Sequence, residues 1–132
     1  MPLHVTQNIS LDPAALALAG RAWTLQCLLD LQAARAKGRP LPPLVRAGVR
    51  YKREPPGREF WQLPTETLNI GSGDCEDLAG WAAAEICMAA GDPHAAVVTF
   101  RQSGNHLWHA TVKTRDGRAI DPSKMLGMRG PA

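Results

Sequence analysis

The sequence predicts a single α+β domain, on three observations. Residues 13–37 carry apolar positions at helical spacing between a clear start signal and a clear stop signal. Residues 75–90 read as a second helix, opened by Asp74 and closed by Gly91-Asp92-Pro93. Strand-like runs follow at Ala96–Arg101, Leu107–Thr114 and Arg118–Ile120, the last two joined by Asp116-Gly117, a strong hairpin signal. Helices followed by a run of antiparallel strands define the α+β class. The 132 residues, 45% hydrophobic, can bury one core, and no shift in composition marks a second domain. Residues 1–132 are therefore one unit: an N-terminal helix (13–37), a proline-rich basic connector (38–60) and a core (61–123).

The first helix opens at Asp12-Pro13, where Ser10 or Asp12 can cap and Pro13 suits a first helical position; Gly38 and Pro40 end it. Leu16, Trp23, Cys27 and Leu31 share one face, and Leu18, Leu25 and Leu29 form a second stripe nearly opposite. A helix apolar on two sides is either sandwiched or faces a partner, and a dimer through this helix is one such arrangement. Arg39-Pro40-Leu41-Pro42-Pro43 reads as extended, since each proline fixes its own φ and biases its predecessor away from helix. A short strand is expected at Val49–Arg53, a turn at Pro55-Pro56-Gly57 and a brief helical turn at Pro64–Leu68, after which Gly71-Ser72-Gly73 ends regular structure. On the helix at 75–90, Asp74 and Asp77 make a capping-box-like pair. Cys75, Ala79, Ala82 and Ile86 are expected to face the sheet, with Trp81 and Met88 turned to the N-terminal helix.

Three cysteines with no CxxC pair, and no N-terminal basic-then-apolar segment, argue against a disulfide scaffold and for a reducing, cytoplasmic setting. Arg21, Gln26 and Asp30 interrupt the longest apolar candidate, so no membrane span is expected. The formal charge of +3 is modest, but Arg46, Arg50, Lys52, Arg53 and Arg58 concentrate it around Tyr51, which keeps an acidic or nucleic-acid partner open.

The chemistry points to Gly73-Asp74-Cys75-Glu76-Asp77-Leu78-Ala79, where a thiol follows a glycine-rich turn at the first turn of a helix. His109 and Asp121 come later, in the order in which a cysteine nucleophile, its base and the base's orienter can be laid out. A helix N-terminus and an imidazolium both favour a thiolate, whereas Asp74, Glu76 and Asp77 oppose it if their carboxylates point at the sulfur. Cys27 and Cys87, mid-helix in apolar settings, read as core, which is the ordinary fate of a lone cysteine. His109 alone reads equally well as a satisfied strand histidine, and Asp121 as the start of an Asp-Pro turn.

The segment Trp61-Gln62-Leu63-Pro64…Gly71-Ser72-Gly73-Asp74-Cys75-Glu76-Asp77-Leu78-Ala79 resembles the W-x-x-P…G-x-G-D-C-E-D-x-A pattern of bacterial transglutaminase-like cysteine peptidases, within the broader papain-like group. His109-Ala110-Thr111-Val112 and Asp121-Pro122-Ser123 resemble that group's H-A-x-V and D-P-[ST] segments, and the Asp121–Met128 ending is similar to small phage- and prophage-encoded members. Thr111 and Lys113 stand where many members have Trp and Glu. The resemblance covers Trp61 to Ser123 and implies a helix carrying Cys75 packed on a small antiparallel sheet carrying His109 and Asp121. It implies a thiol peptidase or amidohydrolase acting on a peptide or protein amide through a thioester, resolved by water or by an amine as in transglutaminases.

His106 is the alternative base: three residues from His109 in a strand, it faces the other way, so one of the two meets the thiol, and His109 lies deeper in the strand. Oxyanion donors are the Cys75 N–H and, second, the Gln62 side chain or a backbone N–H near Trp61; Trp61 and Trp108 are core or cleft wall. Zinc is poorly supported, since Cys75 and Cys87 stand about 18 Å apart by helical rise. No cofactor is required by the thiol chemistry; by resemblance Asp74, Glu76 and Asp77 are weak calcium candidates, though the loop lacks an EF-hand pattern. The basic stretch 46–58 supports the competing expectation of a non-catalytic nucleic-acid- or virion-binding module.

Overall fold

The structure is a computed structural model that describes residues 12–53, 60–102 and 108–128. It is a mixed α+β arrangement of a long N-terminal helix, α1 (Pro13–Ala36), a second main helix, α3 (Cys75–Ala90), and an antiparallel sheet of β3 (Ala96–Gln102), β4 (Trp108–Thr114) and β5 (Ala119–Ile120) in the order β3-β4-β5. Between the helices lie a 3-10 turn at Leu44–Arg46, β1 (Arg50–Tyr51), α2 (Pro64–Ile70) and β2 (Ser72–Gly73); α4 (Pro122–Met125) follows the sheet. Ser10, the Pro55-Pro56-Gly57 turn, Arg58 and His106 lie outside the described residues.

The caps act as the sequence implies. Asp12 accepts from the Ala14 N–H at the start of α1, and Gly91, left-handed at φ 63°, ends α3. The hairpin between β4 and β5 closes through Gly117 at φ 91°, with Thr114 N–H donating to Arg118 O and Gly117 N–H to Thr114 O, the turn-plus-bulge form of a short hairpin loop. Its register pairs Val112 with Ile120, as β3 pairs Arg101 with His109 on the other side.

Both main helices pack on the sheet and on each other, around a core that includes Trp23, Leu31, Leu78, Trp81, Val98 and Val112. Close approach decides the helix pairing. A Cβ on Gly80 would stand 2.7 Å from Cys27 Sγ and 3.0 Å from Trp23 Cε2, so only glycine lets α1 seat there. The closest approach to α1 thus falls on Gly80, a residue the sequence did not single out. Gly20 is similarly pressed against the Val98 carbonyl of β3.

Ala82 and Ile86 are half-buried against the core and line a shallow cavity of about 140 Å³ with Ile120 of β5, Leu44 and Leu126. The strand expected at Val49–Arg53 is present as β1, and it pairs in parallel with β2, Arg50 opposite Ser72 and Tyr51 opposite Gly73, so the glycine turn expected to end regular structure carries a strand instead. And α1 is not sandwiched: Trp23, Cys27 and Leu31 are buried, while Leu18, Leu25 and Leu29 face outward. No helix among the described residues is long and apolar enough to cross a membrane.

Candidate active site

Cys75 is the first residue of α3, and three local features hold it there. Asp74 caps the helix and accepts the Cys75 N–H on Oδ1 at 2.6 Å. Asp77, fully buried, reaches back to accept the Asp74 N–H at 2.9 Å and, on its other oxygen, the Gln62 N–H at 2.6 Å. Trp23 from α1 donates its indole N–H to the Glu76 carbonyl at 2.8 Å.

The thiol lies against β4. In an antiparallel strand alternate residues turn their backbone groups to opposite edges. His109 pairs with Arg101 on β3, so Trp108 and Ala110 present theirs to the other edge, which β5 covers only opposite Val112 and Lys113. Cys75 Sγ occupies that open stretch: the Ala110 N–H donates to it at 3.5 Å, and it lies 3.9 Å from the Trp108 carbonyl oxygen. The sulfur therefore touches the backbone on both sides of His109. Among the described residues no hydrogen bond joins the thiol to the imidazole.

His109 is 3% exposed, and its Nε2 lies 2.8 Å from Asp121 Oδ2. The other Asp121 oxygen accepts the Lys124 N–H and caps α4, so one carboxylate both starts the Asp-Pro turn and binds the histidine. With Nε2 committed to Asp121, Nδ1 is the nitrogen left for a proton from elsewhere.

Electrostatics around the sulfur oppose a resting thiolate. Burial pushes the Cys75 thiol well up, and the Glu76 and Asp74 carboxylates push it further; the Ala110 N–H pulls the other way. The thiol donates to Glu76 Oε2 at 3.4 Å. Glu76 is itself held well above the ordinary glutamate range, by burial first and by Asp74 next. Tyr51 on β1 belongs to the same neighbourhood, its phenol pushed up to about 12 by burial and by the charges of Asp74 and Cys75. Sequence reading placed Tyr51 only among basic neighbours; the parallel β1–β2 pairing that brings it to the thiol leaves no local signal.

The expected oxyanion donors are already engaged, the Gln62 backbone N–H beside Trp61 by Asp77. The Cys75 N–H is held by Asp74, and the Gln62 amide nitrogen donates to Thr67 Oγ1 at 3.2 Å and to the Ser72 carbonyl at 3.1 Å. Trp61 is wall rather than open cleft, stacked on Phe100 and set edge-on to Trp23, each at 5.3 Å between ring centroids. The Trp61 indole N–H and the Ser123 hydroxyl, both buried, have no partner among the described residues. Trp108 is half-buried and contributes its carbonyl.

Asp74, Cys75 and Glu76 bring ligand atoms within 4.8 Å of one another. Asp77, the third carboxylate of the expected calcium set, is not in that group, and each of its oxygens accepts a backbone N–H. Cys27, Cys75 and Cys87 are all free thiols; Cys27 and Cys87 are buried in the core, as their sequence settings imply. Comparisons with protein-family models, curated proteins and solved structures return no match for this chain.

Proposed function

We propose that the chain is a transglutaminase-like thiol amidohydrolase, acting on a peptide or protein amide, with Cys75 as nucleophile, His109 as base and Asp121 as the group that orients it. One observation carries this reading: the His109 Nε2–Asp121 pair at 2.8 Å sits in the strand whose backbone, at Trp108 and Ala110, lies against Cys75 Sγ. Three groups far apart in sequence are thus brought into one neighbourhood, which supports assigning them the roles of a thiol triad.

The raised thiol dictates how the step runs. Cys75 rests as a neutral thiol rather than as half of a preformed thiolate–imidazolium pair. Sulfur attacks the amide carbonyl as its proton passes to His109 Nδ1, while Asp121 holds Nε2 and stabilises the imidazolium that forms. The imidazolium then protonates the leaving amine, the C–N bond breaks and a thioester remains. Water attacking that thioester gives hydrolysis; a second amine gives transfer. The oxyanion takes the Cys75 N–H once the Asp74 carboxylate lets go of it. Free thiols fit a reducing compartment such as the cytoplasm.

The test is haloacetamide alkylation of Cys75 followed by mass spectrometry, in wild type and in His109→Ala, with amide turnover measured in parallel. General-base assistance during the reaction predicts that the substitution abolishes turnover yet hardly changes alkylation, since the resting thiol makes no hydrogen bond with the imidazole among the described residues. Turnover that survives His109→Ala and is lost in His106→Ala would move the base to the other histidine. A second reading keeps one specific observation: Arg46, Arg50, Lys52 and Arg53 are all exposed, and none pairs with a carboxylate among the described residues. A folded protein without turnover that binds DNA with a steep salt dependence would favour that non-catalytic module.

A further inference from the structure

The outward face of α1 holds a repeat that the other described residues do not cover. Ala15, Leu18, Ala22, Leu25, Leu29 and Gln32 follow one another at alternating steps of three and four residues, the spacing of a coiled-coil seam, and every one of them is exposed. Leu18 is 71% exposed, Leu29 64% and Leu25 37%. In an ordinary amphipathic helix such a seam faces the core. Here the core takes the opposite side, Trp23, Thr24, Cys27 and Leu31, and leaves the seam to solvent. Nor is it a charged surface that happens to include leucines. Between Pro13 and Ala34 the helix has two charged residues, and both are engaged elsewhere: Arg21 Nη1 donates to Pro93 O at 2.8 Å, and the Asp30 carboxylate accepts from the Thr65 N–H and hydroxyl.

The geometry points to a second copy of this chain as the occupant, with the two α1 helices antiparallel about a two-fold axis between Ala22 and Leu25. The register follows from the seam's own order. Turned end for end about that point, the pattern lays Leu18 against Leu29 of the other copy, Ala22 against Leu25 and Ala15 against Gln32, so every seam position meets a seam position and the central leucine packs over an alanine. Self-complementarity of this kind is what an isologous dimer requires. Charge agrees with the direction. The basic end of the helix, Arg35 and Lys37, comes beside the Asp12 end of its neighbour, and the helix dipoles oppose head to tail, whereas a parallel pair would set Arg35 beside Arg35. The seam runs about 25 Å from Ala15 to Gln32 at helical rise, a small footprint that gives a reversible dimer rather than an obligate one.

Sedimentation of the full chain from about 1 µM to about 500 µM reads the equilibrium directly. The expected result is a monomer–dimer transition in that range, with Leu18→Glu and Leu29→Glu each raising the dissociation constant by about 100-fold or more while helical circular dichroism and melting stay unchanged. Ile70→Glu, a change at an exposed apolar residue off the seam, should leave the transition where it is. Orientation is read by oxidative cross-linking. Leu18→Cys mixed with Leu29→Cys should give a disulfide between the two variants, and Leu18→Cys alone should not link to itself, because its counterpart would lie about 16 Å along the helix. A chain that stays monomeric throughout, a dimer indifferent to both glutamates, or a Leu18→Cys protein that links to itself would overturn the proposal.

Discussion

Glu76→Gln tests the electrostatic account of the thiol most sharply. The Glu76 carboxylate lies 3.4 Å from Cys75 Sγ and stands first among the charges that raise it. A full unit charge at about 4 Å is worth about 4 kcal/mol at the effective dielectric of a partly buried pair. Discounted by half because the pair is not fully shielded from solvent, that is about 1.5 pKa units as the expected drop for Cys75. Intrinsic nucleophilicity falls as the thiol becomes more acidic, with a Brønsted slope of about 0.4–0.5, so roughly half of the gain in thiolate survives in the rate. The net expectation is about a five- to tenfold faster alkylation of Cys75 at pH 8, with Cys27 and Cys87 unchanged as internal references in the same digest. A Cys75 pH profile that does not move to lower pH in Glu76→Gln would refute the claim that this carboxylate holds the proton on sulfur.

The same substitution has a stability signature. The folded-state value of Glu76 is raised, so its contribution is intact below the ordinary glutamate value and is lost as pH rises through it towards the folded one; Glu76→Gln should therefore be more stable than wild type in urea at pH 7, with the gap closing near pH 4. Gly80→Ala drives a methyl into Trp23 and Cys27 and should cost about 2–4 kcal/mol by overpacking and loss of the Trp23–Glu76 hydrogen bond, read as a lower urea midpoint. Asp77→Ala orphans the Gln62 and Asp74 N–H groups and should cost about 3 kcal/mol in the same assay. Asp121→Asn, which leaves an amide against His109 Nε2, should lower turnover far more than it lowers the melting temperature.

Much of this was legible in the chain because it is written locally. Asp12-Pro13 and Asp74…Gly91 bound their helices through caps that act within one turn, and Asp116-Gly117 closes its hairpin through a backbone conformation that glycine supplies. Strand order then put Asp121 within reach of His109. What the sequence hides is set by contacts distant along the chain. Gly80 looks like any small helical residue until Trp23 arrives from α1, and Tyr51 is unremarkable until β1 pairs with a two-residue strand inside a glycine turn. Asp74 was legible as a cap, and as a carboxylate near the thiol; that capping would occupy the N–H an oxyanion needs follows only from its geometry.

The short strand β1 alternates its loyalties. Arg50 and Lys52 donate to Gly71 and Gly73, in the turn that leads to Cys75, while Tyr51 between them donates to Leu126, just past the helix that Asp121 caps. Three consecutive amides thus stitch the segment of Cys75 to the segment of Asp121. If this stitch opens, both ends of the constellation loosen at once, so amide hydrogen exchange at Arg50, Tyr51 and Lys52 should rise and fall together as a single opening unit, a clasp whose closure keeps the cysteine and the aspartate in one frame.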